Sequence, residues 1–297
     1  MLSWTKAGAV KRPTTLQIRV QRRYPGRVRA GAPTPTRGLS HQELLANLRH
    51  FTEGQRGPRT APCTTLVLSG VGLLSSPETE AVLQAARQLG IERVVLHAGT
   101  EDLAGFQAEP WQPLVDVLVV PLQPGASALL EHGARAVAAC RAAGIQVAAN
   151  TVMSRTAVPS LPALAQLAAR LAPHSLTLSY PFPTSPDQPP PPTPSELLPA
   201  LSTAVELLEA AGAEPRVKGL PACYLGDLAD RLQPSSNRWY VDADHQLARA
   251  LLFFPDVLAF HKADVCRFCS RDDRCDGFFS PWLRLPGFPP LEPVSQP

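Results

Sequence analysis

Short apolar runs alternate with amphipathic stretches along most of this chain of 297 residues. Residues 15–20 alternate well enough for a strand, and the short, largely apolar runs 65–69, 93–97, 116–120, 145–150 and 176–180 read as strands too. Helical spacing separates them. Ser40 followed by Glu43 has the form of a capping box and starts a helix through Leu44, Leu45 and Leu48. Pro77 opens a second helix that runs to Gly90, and an alanine-rich helix covers 126–143 before Gly144. Residues 161–171 and 195–211 carry apolar positions at helical spacing, the latter at Leu198, Leu201, Val205 and Leu208. Residues 217–220 add a possible edge strand.

Buried strands between amphipathic helices predict an α/β protein, with a parallel sheet covered by helices. Six strands before residue 181 are too few for a closed eight-fold barrel. An open, partial (β/α)6 barrel and a doubly wound sheet both fit the rhythm. After residue 220 the rhythm stops. The expected organisation is a basic, disordered tail over 1–13, the α/β domain over 14–220, and a small cysteine-rich appendage over 221–297. Residues 21–38, rich in Arg, Gly and Pro, read as a loop. The segment 184–192, with its run of prolines, reads as a stiff surface loop.

Charge changes the picture at one end. The net charge is +3, yet residues 1–37 hold nine Lys or Arg and no acid. The plain reading is a solvated extension, although such a tail also suits an acidic partner. The apolar run 247–260 is broken by Arg249, Pro255 and Asp256, so no membrane span is expected. Six cysteines without a secretory leader point to reduced thiols in a cytoplasmic setting, where clustered Cys more often bind metal than form disulfides.

Candidate chemistry concentrates near the C-terminal end. Cys266, Cys269 and Cys275 form a C-x-x-C-x5-C block, and Cys223 is the candidate fourth ligand. Two thiolates from one tight turn, closed by a third after a short loop, suit a [4Fe-4S] cluster or a structural zinc ion. His245 and His261 are alternatives to Cys223, while Cys63 and Cys140 read as small core residues. Arg267, Arg271 and Arg274 would offset the charge of an anionic cluster. His97, Asn150 and Tyr180 fall at strand ends, the rim where β/α folds hold ligands. Gly70 and Gly72 read as a tight turn after a strand.

The chain resembles the radical S-adenosylmethionine (SAM) superfamily over about residues 14–295. The specific part of the likeness is the C-terminal run: Pro221-Ala222-Cys223, the block from Cys266 to Cys275 followed by Asp276-Gly277, then Phe278, Trp282, Gly287 and Pro290. Many peptide-modifying members end this way. The resemblance implies a partial (β/α)6 TIM-like barrel with an auxiliary Fe-S site held by Cys223, Cys266, Cys269 and Cys275. The family's C-x-x-x-C-x-x-C motif, which holds the SAM-cleaving cluster, falls on Gln21-Arg22-Arg23-Tyr24-Pro25-Gly26-Arg27-Val28. That loop has no Cys, and arginine stays protonated and offers iron no lone pair. The family's Gly-Gly-Glu-Pro motif falls on Ser69-Gly70-Val71-Gly72-Leu73, where the carboxylate is missing.

These departures imply a degenerate member that retains the fold and the auxiliary site and has lost SAM cleavage. The expected partners are an intact radical SAM enzyme or a substrate peptide, not nucleic acid. Two other readings stay open: a zinc-stabilised binding protein, and a non-radical enzyme using the barrel rim.

Overall fold

The structure, a computed structural model, describes residues 13–23, 36–53, 62–70, 72–99, 101–103, 105–124, 127–183, 188–253 and 260–295. The expected tail lies outside the described residues except for Pro13. So do residues 24–35 of the arginine-rich loop, 184–187 of the proline-rich loop and 254–259 of the late apolar run.

Along the chain the strands are β1 (Thr15–Arg19), β2 (Gln21–Arg23), β3 (Thr36–Gly38), β4 (Thr65–Ser69), β5 (Arg93–His97), β6 (Val117–Pro121), β7 (Gln146–Val152), β8 (Ser175–Ser179), β9 (Glu214–Lys218), β10 (Arg238–Val241), β11 (Leu251–Phe253), β12 (Phe260–His261) and β13 (Phe278–Phe279). The helices are α1 (His41–Thr52), α2 (Pro77–Gln88), α3 (Ser127–Ala142), α4 (Leu161–Leu171), α5 (Pro194–Ala210), α6 (Ala222–Leu225) and α7 (Ser280–Leu283). All six expected strands form. The chain is an α/β protein whose strands in the expected rhythm pair in parallel, and no closed barrel forms among the described residues. The ends of the arginine-rich loop depart from expectation, since β2 and β3 pair as an antiparallel hairpin.

The chain divides into two compact units. The first comprises Met1–Val120, His132–Val147 and Asn237–Phe253. Its sheet runs β11-β10-β1-β4-β5-β6. Leu16 and Ile18, Leu66 and Leu68, Val94 and Leu96, and Leu118 and Val120 are buried on one face. Alternation sends Gln17, Val67, Ser69, Val95, His97 and Val119 to the other face, which is only half-buried. The α1 stripe adds Leu44, Leu48 and Phe51, and α2 adds Val82, Leu83 and Ala86. Ser40 and Glu43 form the capping box that the sequence predicts. Cys63 and Cys140 are core residues, and burial pushes the Cys140 thiol up to about 12.

One strand occupies a position that the sequence did not indicate. Residues 239–242 belong to the stretch 221–297 that the sequence sets apart as an appendage. β10 does pair antiparallel with β11, but its other edge extends the sheet in parallel with β1. The turn after it is fixed by Asp242, which is fully buried. Its Oδ1 accepts the N–H groups of Asp244 and His245 and lies 2.9 Å from His245 Nδ1. Burial alone would raise the Asp242 carboxyl. These donors outweigh burial and hold it below the ordinary aspartate range.

Asp242→Ala is therefore expected to cost about 1–3 kcal/mol at neutral pH. Because the folded-state value is depressed, the contribution is present above pH ~4 and fades as the pH falls through the lower folded value. Urea unfolding of both proteins across that range checks this. A difference that grows on acidification would contradict it.

The second unit comprises Pro121–Glu131, Ala148–Ser236 and Phe254–Pro297, with strand order β7-β8-β9. Leu176, Leu178 and Val217 are buried beside the apolar stripes of α4 and α5. The α5 stripe runs through Leu197, Leu201, Val205 and Leu208, so Leu197 takes the core position expected of Leu198. The helix begins with Thr193, which makes a capping box with Glu196 and places Pro194 at the first helical position. No helix among the described residues is long and apolar enough to cross a membrane.

Candidate metal centre

All four cysteines of the expected site belong to the second unit. Pro221 ends an extended stretch, and Cys223 follows in the short helix α6. Cys266 lies in a 3-10 turn over Asp264–Phe268, and Cys269 follows at its end. Cys269 N–H donates to the Cys266 carbonyl at 3.0 Å, which closes the turn carrying both thiols. Cys275 lies three positions before the start of β13.

Backbone N–H groups point at the sulfurs. Cys275 Sγ accepts from Ala222 at 3.5 Å and Gly277 at 3.3 Å. Cys269 Sγ accepts from Arg271 at 3.4 Å and Val294 at 3.3 Å. Glu292 N–H donates to Cys223. Such donors favour thiolate over thiol, and hydrogen bonds to sulfur are one of the factors that set a cluster's potential.

Burial and neighbouring charge act on the thiols together. Cys223 is raised first by burial and then by the charges of Cys275 and Cys266, against the Glu292 N–H. Cys275 is raised by burial too, and is drawn down by its two N–H donors and by Lys262. Cys223, Cys266 and Cys275 thus share one electrostatic environment. They are neighbours and not a finished cage: among the described residues, no group of three or more His, Cys, Asp or Glu side chains closes on a metal ion. The donor chemistry fits a thiolate-bound group, with soft ligands and N–H donors aimed at the sulfurs.

Lys262 was not singled out from the sequence. Its Nζ donates to the Asp272 carbonyl at 2.6 Å and to Asp272 Oδ1 at 2.9 Å, pinning the loop between Cys269 and Cys275. The signal in the sequence was a lone lysine four positions before Cys266. Arg271 pairs with Asp230 at 2.7 Å. Arg267 stacks on Phe268, its guanidinium carbon 4.7 Å from the ring centre. Behind the block, Phe278 is fully buried among the rings of Tyr180, Tyr224, Phe279 and Phe288.

The remaining candidates have separate roles. His261 stands opposite Phe278 in the β12–β13 pair, and His245 is held by Asp242 in the first unit. Tyr180 is buried and its hydroxyl donates to the Pro192 carbonyl at 2.5 Å, which makes it a loop anchor. Asn150 accepts from Ser179 Oγ at 2.8 Å and, with Gln123, Ser154 and Thr156, lines a cavity of about 410 Å³ in the second unit. Gly72 has φ 70°, as a tight turn requires, while Val71 lies outside the described residues.

The fold is similar to that of SuiB. This Streptococcus suis protein aligns with 94% of the chain at a TM-score of 0.52 and 10% identity, over 67% of its own length. SuiB bound to precursor peptide SuiA aligns at a TM-score of 0.48 and 11% identity, over 71% of this chain and 50% of SuiB. SuiB bound to S-adenosylmethionine aligns at 0.46 and 10%, over 70% and 47%. The chain thus spans about half the length of SuiB in two of these alignments and about two thirds in the other. At such identities, the likeness at 0.52 establishes the fold and nothing further. No protein-family model matches the sequence, and no curated protein matches it either.

Proposed function

We propose that the chain is a radical SAM-like protein that has lost the SAM-cleaving cluster, keeps one C-terminal Fe-S site, and works as a partner or scaffold in modifying a peptide or small molecule. The observation that carries this reading is the set of backbone N–H groups directed at Cys223, Cys269 and Cys275. The arginine-rich loop after β1 supplies no thiol in sequence, which supports the loss of SAM cleavage. SuiB has been captured with S-adenosylmethionine and with a precursor peptide, which supports a peptide as the molecule engaged here. Six free thiols support a reducing, cytoplasmic setting.

Cys223, Cys266, Cys269 and Cys275 would hold a [4Fe-4S] cluster, and when bound it supplies one-electron transfer. At Cys223 and Cys275 the N–H donors, with Lys262 at Cys275, oppose the burial that raises these thiols. The Lys262–Asp272 link fixes the loop that positions Cys275. An intact radical SAM enzyme would be the source of any radical, with this chain presenting the peptide or relaying an electron.

The test is anaerobic purification followed by iron, sulfide and zinc analysis of the wild type and Cys269→Ala. About four irons and four sulfides per chain are expected for the wild type. Cys269→Ala should lose the metal while the first unit stays folded. One zinc and no iron would overturn the Fe-S reading in favour of a zinc-stabilised binding protein. Full metal retention in the variant would remove Cys269 from the ligand set.

A further inference from the structure

Residues 286–295 of the second unit form neither helix nor strand, yet side chains and backbone hold them at several points. Trp282 anchors the chain ahead of them, its Nε1–H donating to the Pro181 carbonyl at 3.2 Å. Gly287 then turns at φ 84°, where an added Cβ would lie 2.6 Å from Thr193 Cγ2. The Phe288 ring stacks on Phe278 with 5.7 Å between centres, and the Tyr224 hydroxyl donates to the Pro289 carbonyl. Leu291 is buried. At the far end the Val294 carbonyl accepts both the N–H and the Oγ–H of Ser270, each at 2.9 Å.

Prolines decide what this stretch can offer. With Pro289, Pro290 and Pro293 lacking an N–H, residues 289–294 keep only the backbone donors of Leu291, Glu292 and Val294. Two of these go to sulfur. Glu292 donates to Cys223, and Val294 donates to Cys269 Sγ at 3.3 Å. The same few residues therefore join α6, which carries Cys223, to the turn that carries Cys266 and Cys269. Proline also narrows the conformations open to the stretch when it is released, which lowers the entropy cost of seating it.

Ser270 is the catch. It follows Cys269 directly and grips the carbonyl of the residue whose N–H meets that sulfur. Seating the stretch and placing Cys269 are thus one event. Glu292, Pro293 and Ser295 are exposed, so the stretch forms an outer layer over the sulfurs that it bonds.

We propose that residues 287–295 act as a latch on the thiolate site: seated, they tie Cys223 to Cys269 and slow the loss of bound metal; released, they open the site to loading. The inference rests on the four cysteines holding a metal. The latch contributes no ligand, because a backbone N–H offers a metal no lone pair; it acts by fixing where two sulfurs lie. A bound metal fixes the same sulfurs, so metal and seating favour each other.

The experiment uses the full chain, purified anaerobically with its own iron or zinc, and times metal release to a colorimetric chelator. Ser270→Ala should release metal about fivefold faster than the wild type, the factor that one lost hydrogen bond carries. Leu291→Ala should be faster by about tenfold or more, as loss of a buried leucine's packing predicts. Ser295→Ala, at an exposed position, should match the wild type. Hydrogen exchange in residues 288–295 gives a second readout. The Glu292 and Val294 amides should exchange more slowly with metal bound than after it is stripped, and faster in Leu291→Ala. Should Leu291→Ala fail to fold, Ser270→Ala, which removes one hydroxyl, decides. A chain with neither iron nor zinc overturns the metal reading and the latch with it. A metal-bearing Ser270→Ala chain with wild-type release overturns the latch alone, as do unprotected Glu292 and Val294 amides in the metal-bound wild type.

Discussion

Gly277→Ala is expected to disable the region around the candidate metal centre more severely than its size suggests. Gly277 sits at φ 86°, and an added Cβ would lie 2.2 Å from the His261 carbonyl oxygen and 2.9 Å from Lys262 Cγ. The lysine stem can give way, but the carbonyl cannot. It belongs to the strand pair that sets His261 opposite Phe278 and Phe260 opposite Phe279. The left-handed backbone alone costs a non-glycine residue about 1–2 kcal/mol. Overpacking against fixed backbone adds about 1–3 kcal/mol. Gly277 N–H is also a donor to Cys275 Sγ, so a shifted hairpin withdraws support from that sulfur. Urea unfolding should show the sum of these costs, and metal content should fall with it. Gly90→Ala is the control: its φ is 87°, and a Cβ there meets nothing within 4 Å, so it carries the backbone cost alone. Equal losses in the two variants would show that the contact with His261 relaxes without penalty.

Phe278→Ala is expected to cost about 3–5 kcal/mol, the range for removing a buried aromatic ring. The ring is fully buried, 5.2 Å from Tyr224, 5.5 Å from Tyr180 and 5.7 Å from Phe288. It packs against α6 through Tyr224, the residue that follows Cys223, and against the end of β8 through Tyr180. Removing it leaves a cavity that several elements would have to close together. Phe268, by contrast, is 71% exposed, and Phe268→Ala should change stability by about 0.5 kcal/mol or less. Chemical denaturation of both variants separates the two aromatic roles. A small effect at Phe278 would mean that neighbouring rings refill the space.

The main architecture was legible because burial and periodicity agree in it. Leu66, Leu68, Val94 and Leu96 must alternate inward if helices cover one face, and Ser40 with Glu43 marks a helix start within four residues. The start of α5 was missed by one residue because Ser195 and Thr193 are both acceptable caps, and only the Thr193–Glu196 spacing completes a box. The place of β10 was not legible. A four-residue strand states its own alternation, not its neighbour, and tertiary packing put it beside β1.

The cysteine spacing named the candidate ligands, but the groups that support their sulfurs are backbone N–H donors, which every non-proline residue carries. Side-chain type therefore gave no hint of Ala222, Gly277 or Val294. His245 showed the converse. It was weighed as a thiolate-site ligand, while Asp242 three positions earlier carried the better clue, since a buried aspartate at that spacing reaches both the backbone and the imidazole.

The parallel pairing of β1 with β10 has a consequence during synthesis. β1 is made before both of its neighbours: β4 follows soon and covers one edge, but β10, which covers the other, is made only after β9. Until then β1 presents a row of unpaired amides, the kind of template that recruits another chain. Fragments ending before residue 238 should therefore self-associate through that open edge.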